Sequence, residues 1–286
     1  MGKRVLVTGG SGFIGSYVVD ALVSKKYKVT IFDLVNPKRK DVKFIKGNLL
    51  NYSSVELAVK KNEIIFHLAA VSDINKAKNI PTKTISTNIL GTANLLDASR
   101  KANIKKFIFA STYYPYTGPK NLYANSKKVS EFIIKKYNLL YGLNYTILRY
   151  ATAYGPRNRG VDAVSIFIKR SLKNLNLVIH GNGQQKRNYL HAKDLGEGSL
   201  IALKKKLKNK TVTLASDQNI KIINLAKQII KLTKSKSKIK YAKKKKRSDD
   251  FTSNFISSRK TYNSVGWKPK FNLNSGLKEY IKNKNF

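Results

Sequence analysis

Between the apolar run Arg4–Thr8 and the amphipathic stretch Phe13–Ser24, the chain reads Thr8-Gly9-Gly10-Ser11-Gly12-Phe13-Ile14-Gly15. A strand that passes through glycines straight into a helix narrows the choice of fold sharply. Gly10 and Gly12 permit the tight turn and let backbone N–H groups approach a pyrophosphate, and Gly15 lets the helix pack closely on the sheet. The helix N-terminus then faces the anion. The motif therefore reads as a dinucleotide site. Asp33 ends the next strand 18 residues after Gly15. A carboxylate there accepts hydrogen bonds from the adenosine ribose hydroxyls and repels a 2′-phosphate, which favours NAD over NADP. Lys38-Arg39-Lys40 just downstream is the one nearby feature that could greet such a phosphate.

Strand-length apolar segments alternate with helix-length amphipathic ones through the first half, the rhythm of a parallel sheet covered by helices. Strands are expected at Arg4–Thr8, Lys28–Asp33, Val42–Ile45, Ile64–Leu68, Phe107–Ser111 and Tyr145–Arg149. Helices are expected near Phe13–Ser24, Ser53–Lys61, Thr84–Ala102 and Leu122–Tyr141. In the last of these, Val129, Phe132, Ile133, Lys136, Tyr137 and Leu140 recur at three- and four-residue steps, predicting one wet and one buried face. After Arg149 the rhythm loosens. Helices near Ala163–Asn174 and Ala192–Lys206, lysine-rich loops and helix ends at Lys204–Lys210 and Lys234–Arg247, and a helix from Leu273 to Ile281 make a smaller lobe. The fold class is α/β, a Rossmann-type doubly wound parallel sheet with a smaller C-terminal substrate-binding lobe. Residues 1–152 plus about 188–215 would form the first part and 153–187 plus 216–286 the second.

The 286 residues, 42% of them hydrophobic, suffice for a full core and exclude a disordered chain. Cysteine is absent, which removes disulfides, thiolate metal sites and cysteine nucleophiles; no metal is expected, and a reducing cytoplasm is the natural compartment. The longest apolar stretches, such as Ile64–Val71 with His67 inside it, fall far short of the roughly 20 residues of a membrane span. The start reaches Thr8 too soon for a secretory signal, so Met1 reads as the beginning of a soluble protein. The net charge of +42 would attract polyanions. It is carried by 47 lysines against 10 arginines, beside 27 asparagines, the signature of an A+T-rich coding bias and not of guanidinium forks reading phosphates. Nucleic-acid binding is accordingly expected to be non-specific and salt-sensitive.

Tyr123-Ala124-Asn125-Ser126-Lys127 opens the long helix, and residues four apart share a helix face. A phenol of ordinary pKa near 10 is no base at neutral pH. Lowering it by about three units takes about 4 kcal/mol of preferential stabilisation of the phenolate. A lysine ammonium and the positive ring of an oxidised nicotinamide can supply that.

These residues resemble the extended short-chain dehydrogenase/reductase family, in its NAD-dependent sugar-nucleotide epimerase/dehydratase branch, of the UDP-glucose 4-epimerase kind. Further matching segments are His67-Leu68-Ala69-Ala70, Asn88-Ile89-Leu90-Gly91-Thr92, Ala110-Ser111-Thr112, Leu148-Arg149-Tyr150, Tyr154-Gly155-Pro156-Arg157, Arg187-Asn188-Tyr189 and Gly266-Trp267-Lys268-Pro269. The resemblance implies NAD held by Gly9, Gly12, Phe13, Ile14, Gly15, Asp33, Asn48, Leu49, Leu68, Ala69, Ala70, Asn88, Tyr123, Lys127 and Tyr150. It implies catalysis by Thr112, Tyr123 and Lys127, with a nucleotide-diphosphate sugar bound through Thr112, Thr152, Arg187 and Arg247. His67 reads as a structural strand-end histidine. The chain departs from the family in several places. Tyr123 follows Thr112 by only 11 positions, Thr152 stands where many relatives carry asparagine, and Asn48 and Asn188 replace common aspartates. Tyr113-Tyr114 stands where dehydratases carry an Asp-Glu pair, which argues against dehydration. The implied activity is epimerisation by transient oxidation to a keto-sugar and hydride return to the opposite face. The alternatives are a keto-sugar reductase or dehydrogenase on the same scaffold and a non-catalytic nucleic-acid-binding relative. A homodimer through a four-helix interface of Thr84–Ala102 and Leu122–Tyr141 is also implied.

Overall fold

Parallel strands covered on both faces must be apolar throughout, and the central strands obey this: Val5, Leu6 and Val7 are fully buried in β1 (Arg4–Thr8) and Ile64, Ile65 and Phe66 are buried in β4 (Ile64–His67). The computed structural model describes residues 2–114, 121–158, 160–242 and 259–283. They divide into two units. The first takes 2–114, 121–150 and 199–213; the second takes 151–158, 160–198, 214–242 and 259–283.

In the first unit, β2 (Lys28–Asp33), β3 (Lys43–Lys46), β5 (Lys106–Thr112) and β6 (Tyr145–Tyr150) join β1 and β4 in one parallel sheet. β10 (Lys210–Leu214) completes it in the order β10-β6-β5-β4-β1-β2-β3. The helices are α1 (Phe13–Ser24), α2 (Tyr52–Val59), α3 (Ile74–Asn79), α4 (Pro81–Ile85), α5 (Gly91–Lys101) and α6 (Leu122–Tyr141). The expected Thr84–Ala102 helix is in fact α4, a π-helical turn at Ser86–Leu90, and α5; Pro81 starts α4, where its missing N–H costs nothing. Strand β3 begins and ends one residue later than expected. The stripe read from α6 mixes two faces: Val129, Phe132 and Leu140 are exposed, whereas Ile133 and Tyr137 are half-buried against the core; Ile134, outside the stripe, is fully buried.

The second unit holds β7 (Thr152–Tyr154), β8 (Leu177–His180), β9 (Lys186–His191), β11 (Asn219–Lys221) and β12 (Ile239–Ala242). It also holds α7 (Ala163–Leu172), α8 (Ala192–Ser199), α9 (Ile222–Thr233), α10 (Arg259–Val265) and α11 (Leu273–Lys282). Residues 188–198, expected with the first unit, belong here because β9 pairs with β7 and β11. The helix expected over Ala192–Lys206 stops at Ser199 and continues as short 3₁₀ turns. Its end packs against Trp267, whose ring leaves no room for a Cβ at Gly198. Tyr154, Phe167, Ile168, Leu225, Ile229 and Leu277 build the core.

Asn188, the residue standing for a common aspartate, is fully buried at the start of this core. Its amide donates to the Ser216 carbonyl at 2.9 Å and the Gln218 carbonyl at 3.3 Å, while its oxygen accepts from Ser216 N at 2.8 Å. A carboxylate cannot donate, and would face those carbonyls unpaired. Asn188→Asp is expected to destabilise the protein by about 2 kcal/mol or more, read as a lowered urea midpoint with unchanged m.

Candidate functional site

The sheet order reverses between β1 and β4: the chain builds outward through β2 and β3, then returns to the other side of β1. Ligands of open α/β sheets bind at the carboxyl ends of the strands flanking that reversal. Those ends carry Thr8-Gly9 and His67-Leu68-Ala69-Ala70. Gly9 has φ +73°, and a Cβ on it would stand 2.6 Å from the Ala69 nitrogen; a Cβ on Gly15 would stand 2.0 Å from the Gly9 carbonyl oxygen. Gly12 N donates to Gly9 O at 3.1 Å and closes the turn. Gly12 caps α1 without a side chain, and the first turn, with Phe13 and Ile14, carries no acid, so the positive end of the helix faces outward. The Ser11 hydroxyl is buried there with no hydrogen-bond partner among the described residues. A glycine-walled cradle, a helix N-terminus and an orphaned hydroxyl together fit a bound pyrophosphate.

Asp33 points at this loop. One carboxylate oxygen accepts from Ser11 N at 3.0 Å and the other from Val35 N at 3.2 Å. Arg39 is turned away from the role its position suggested. Its guanidinium donates to Asp20 at 2.7 Å and to Asp41 at 2.8 Å. Asp20 lies seven residues beyond Phe13, about 10 Å down the helix axis from the cradle. Asn48 is exposed and closes a turn by accepting from Leu50 N at 3.0 Å. Leu49 is buried against Gly91, and its carbonyl accepts from Asn94 at 2.9 Å.

His67 is a structural residue. The Thr92 hydroxyl donates to Asn88 O at 2.6 Å, so it accepts from His67 Nε2 at 3.0 Å; Nδ1 then accepts from the Thr8 hydroxyl at 2.7 Å. Burial, with the charge of Lys127 nearby, holds the ring neutral. The Asn88 side chain brackets Val71, accepting from its N at 2.8 Å and donating to its O at 3.1 Å, and donates to the Ser126 hydroxyl at 2.9 Å. Its amide is thus committed to binding the π-helical turn to α6.

Thr112 ends β5, buried, and its hydroxyl accepts from Tyr114 N at 3.3 Å. Tyr113 and Tyr114 stack with ring centroids 4.8 Å apart. Tyr123 and Lys127 lie one turn apart near the start of α6, which Asn121 caps by accepting from Ala124 N at 2.8 Å. The Tyr123 phenol is pushed above its ordinary pKa by burial and by the neighbouring Tyr114 hydroxyl, opposite to the shift a base needs. Lys127 is 3% exposed, donates to Ala110 O at 2.8 Å and sits over the Phe109 ring. Burial lowers its pKa to about 7, against the raising effect of Glu131. Tyr150 is buried, with its hydroxyl 2.7 Å from Ser199 Oγ, and desolvation raises its pKa. In the second unit, Thr152 pairs with Tyr189 across β7 and β9, and half-buried Arg187 donates to Lys186 O at 3.0 Å. Arg247 lies outside the described residues. Two residues of this region, Ser11 and Glu131, were given no role in the sequence reading, and the bracketing role of Asn88 was not foreseen. The signal for Glu131 was present, an acid four residues after Lys127.

A glycine cradle at a sheet reversal, with a Tyr-x-x-x-Lys helix beside it, defines a dinucleotide-dependent α/β oxidoreductase-type site. The model of the NAD dependent epimerase/dehydratase family matches residues 5–215, and the chain belongs to that family, whose cofactor is NAD. A Methanocaldococcus jannaschii protein provisionally named UDP-glucose 4-epimerase is 33% identical, with 97% of each chain covered. The UDP-glucose 4-epimerase of Thermotoga maritima, solved with UDP-glucose, is 29% identical with a TM-score of 0.90, covering 98% of this chain and 97% of that one. The Thermus thermophilus UDP-glucose 4-epimerase, solved with NAD, is 27% identical with a TM-score of 0.87, covering 98% of each. No described helix is long and apolar enough to cross a membrane.

Arg39 is engaged by Asp20 and Asp41, whereas the Asp33 carboxylate is hydrogen-bonded to the glycine loop. Asp33→Ser is expected to cut the preference for NAD⁺ over NADP⁺ about ten-fold or more, measured as the ratio of the two Kd values by calorimetry.

Proposed function

We propose that this chain epimerises a nucleotide-diphosphate sugar, acting in a reducing cytoplasm. The observation that carries the reading is the set of groups around the reacting position: Thr112, Tyr123 and Lys127 at the strand and helix ends, with phenols at 113 and 114 where an eliminating enzyme needs carboxylates. Bound NAD supplies the hydride acceptor and donor. Tyr123 takes the proton of the sugar hydroxyl as the carbon is oxidised and returns it after the ring has turned. Thr112 donates a hydrogen bond to the same oxygen as charge develops on it. Lys127 holds the nicotinamide ribose and, as an ammonium, offsets the desolvation that opposes ionisation of Tyr123. Arg187 and Arg247 clamp the diphosphate, so binding energy at the remote end leaves the reacting end free to turn.

The exposed face of α6 supports a homodimer. Val129, Phe132, Leu139 and Leu140 are 42%, 62%, 74% and 66% exposed, an apolar patch that a second copy would cover by helix pairing.

Incubated without added cofactor with UDP-, dTDP- and GDP-sugars, the protein is expected to produce a stereoisomer of one of them, followed by its anomeric NMR signal. Tyr123→Phe should lower kcat at least about 10³-fold with little change in substrate Kd. Consumption of added NAD(P)H in step with product would favour a reductase instead. Silence from wild type across the panel would remove the epimerase reading. Sedimentation of the wild type is expected to give a dimer, and Phe132→Glu a folded monomer.

A further inference from the structure

Beneath the Tyr123–Lys127 turn lies a buried acid that the reaction as described does not use. Glu131 is 1% exposed and follows Lys127 by one helical turn. It does not reach solvent. Arg149 Nη2 donates to one carboxylate oxygen at 2.6 Å, and Arg149 Nε donates to the other at 3.0 Å. The Ser111 hydroxyl donates to that second oxygen at 2.6 Å. Ser111 is the residue before Thr112 on β5, and Arg149 the residue before Tyr150 on β6, so the acid is gripped from two neighbouring strands.

Lys127 has few other charged neighbours. From β4 it faces His67, which is neutral; from β5 it meets the Phe109 ring and the Ala110 carbonyl; on its own helix lie the neutral phenol of Tyr123 and Glu131. Residues at i and i+4 on a helix stand about 5–6 Å apart, close enough for opposite charges in a poorly solvated interior to couple strongly. A buried carboxylate in turn stays ionised only when a counter-ion and hydrogen bonds hold it, which is what Arg149 and Ser111 provide.

We propose that Glu131 is a positioning residue of the reaction centre: its carboxylate, fixed by Arg149 and Ser111, is the buried anion that keeps the proton on the Lys127 ammonium. The order of dependence runs from β6 inward. Arg149 and Ser111 hold the Glu131 carboxylate in place, Glu131 keeps Lys127 charged, and Lys127 acts on Tyr123. The last step rests on the proposed function; the first two do not. The direction of the effect of Glu131 on Lys127, raising it against a burial that leaves the net pKa at about 7, agrees with this order.

The test is a titration of Lys127 in cofactor-free protein carrying ¹³Cε-lysine, the resonance being identified by its loss in Lys127→Met. In Glu131→Gln the midpoint is expected to fall by about one pH unit or more, a ten-fold fall in protonated fraction above both midpoints. Glu131→Asp should recover part of the shift. The pH profile of kcat should lose its alkaline side over the same interval. Should Glu131→Gln fail to fold because half-buried Arg149 loses its carboxylate partner, Glu131→Gln with Arg149→Gln removes both charges and is expected to show a fall in the same direction but smaller, since loss of the guanidinium itself favours the ammonium. An unchanged Lys127 midpoint in either folded variant would overturn the proposal and leave the ion pair a purely structural tie. If no sugar nucleotide is turned over at all, the epimerase reading fails while the titration still decides this one.

Discussion

The architecture depends on how closely β1 and β4 meet at the reversal of the sheet. Gly9 lies so near Ala69 that only a residue without a side chain fits, and the strand ends are joined through polar groups and not apolar contact. Ala69 N donates to the Thr8 hydroxyl at 3.4 Å, that hydroxyl to His67, His67 to Thr92, and Thr92 to the Asn88 carbonyl. The Ser130 hydroxyl lies 2.9 Å from this carbonyl and 2.9 Å from that of Ser126. The chain from Thr8 to Thr92 fixes the rotors in it, because each of its hydroxyls has one proton and one direction left in which to donate it. The outcome is that the glycine cradle, the π-helical turn and α6 are held in register with one another.

Buried charge is the second organising constraint. Lysine is plentiful on this chain and almost always exposed, yet Lys127 is drawn into the interior, where an ammonium is costly. The sheet supplies a carbonyl and an aromatic face to receive it, and α6 supplies an acid one turn along. Burial and the Tyr114 hydroxyl raise the Tyr123 phenol, so its ionisation depends on positive charge brought close to it.

The sequence made the first unit legible because its signals are local. The β1–α1 junction needs glycines at fixed steps, and long apolar runs have no other use than central strands. Asn121 and Gly142 bound α6, capping its start and taking the left-handed turn at its end, as expected of those residue types. What was missed is non-local or obscured by composition. Helix α9 buries Ile222, Leu225, Ala226 and Ile229 at clean helical spacing, but it lies between the lysine-rich stretches Lys204–Lys210 and Lys234–Arg247, and the sequence reading assigned it no element. Strand β10 is short and half polar, and its place at the sheet edge is set by pairing with β6. On α6 the apolar spacing joins Val129, Phe132 and Leu140, which are exposed, to Ile133 and Tyr137, which pack on the core, because apolar residues alone do not say which of two faces the chain itself covers. At the site, the types and order of residues were readable, while the engagement of Arg39 by Asp20 and Asp41 was not, since it joins a loop to a helix in three dimensions.

The π-helical turn at Ser86–Leu90 has a consequence for how this site can evolve. An α-helix advances about 100° per residue, and a π turn absorbs one additional residue within the same length of axis. Asn88 sits inside that bulge, so its azimuth is set by a single inserted position and not by the residue's own preferences. Deleting one amino acid here would straighten the segment into ordinary helix and swing the amide away from both Val71 and Ser126. Length polymorphism is therefore forbidden in this stretch even though it is tolerated in surface loops, and descent with substitution is the only route open to it.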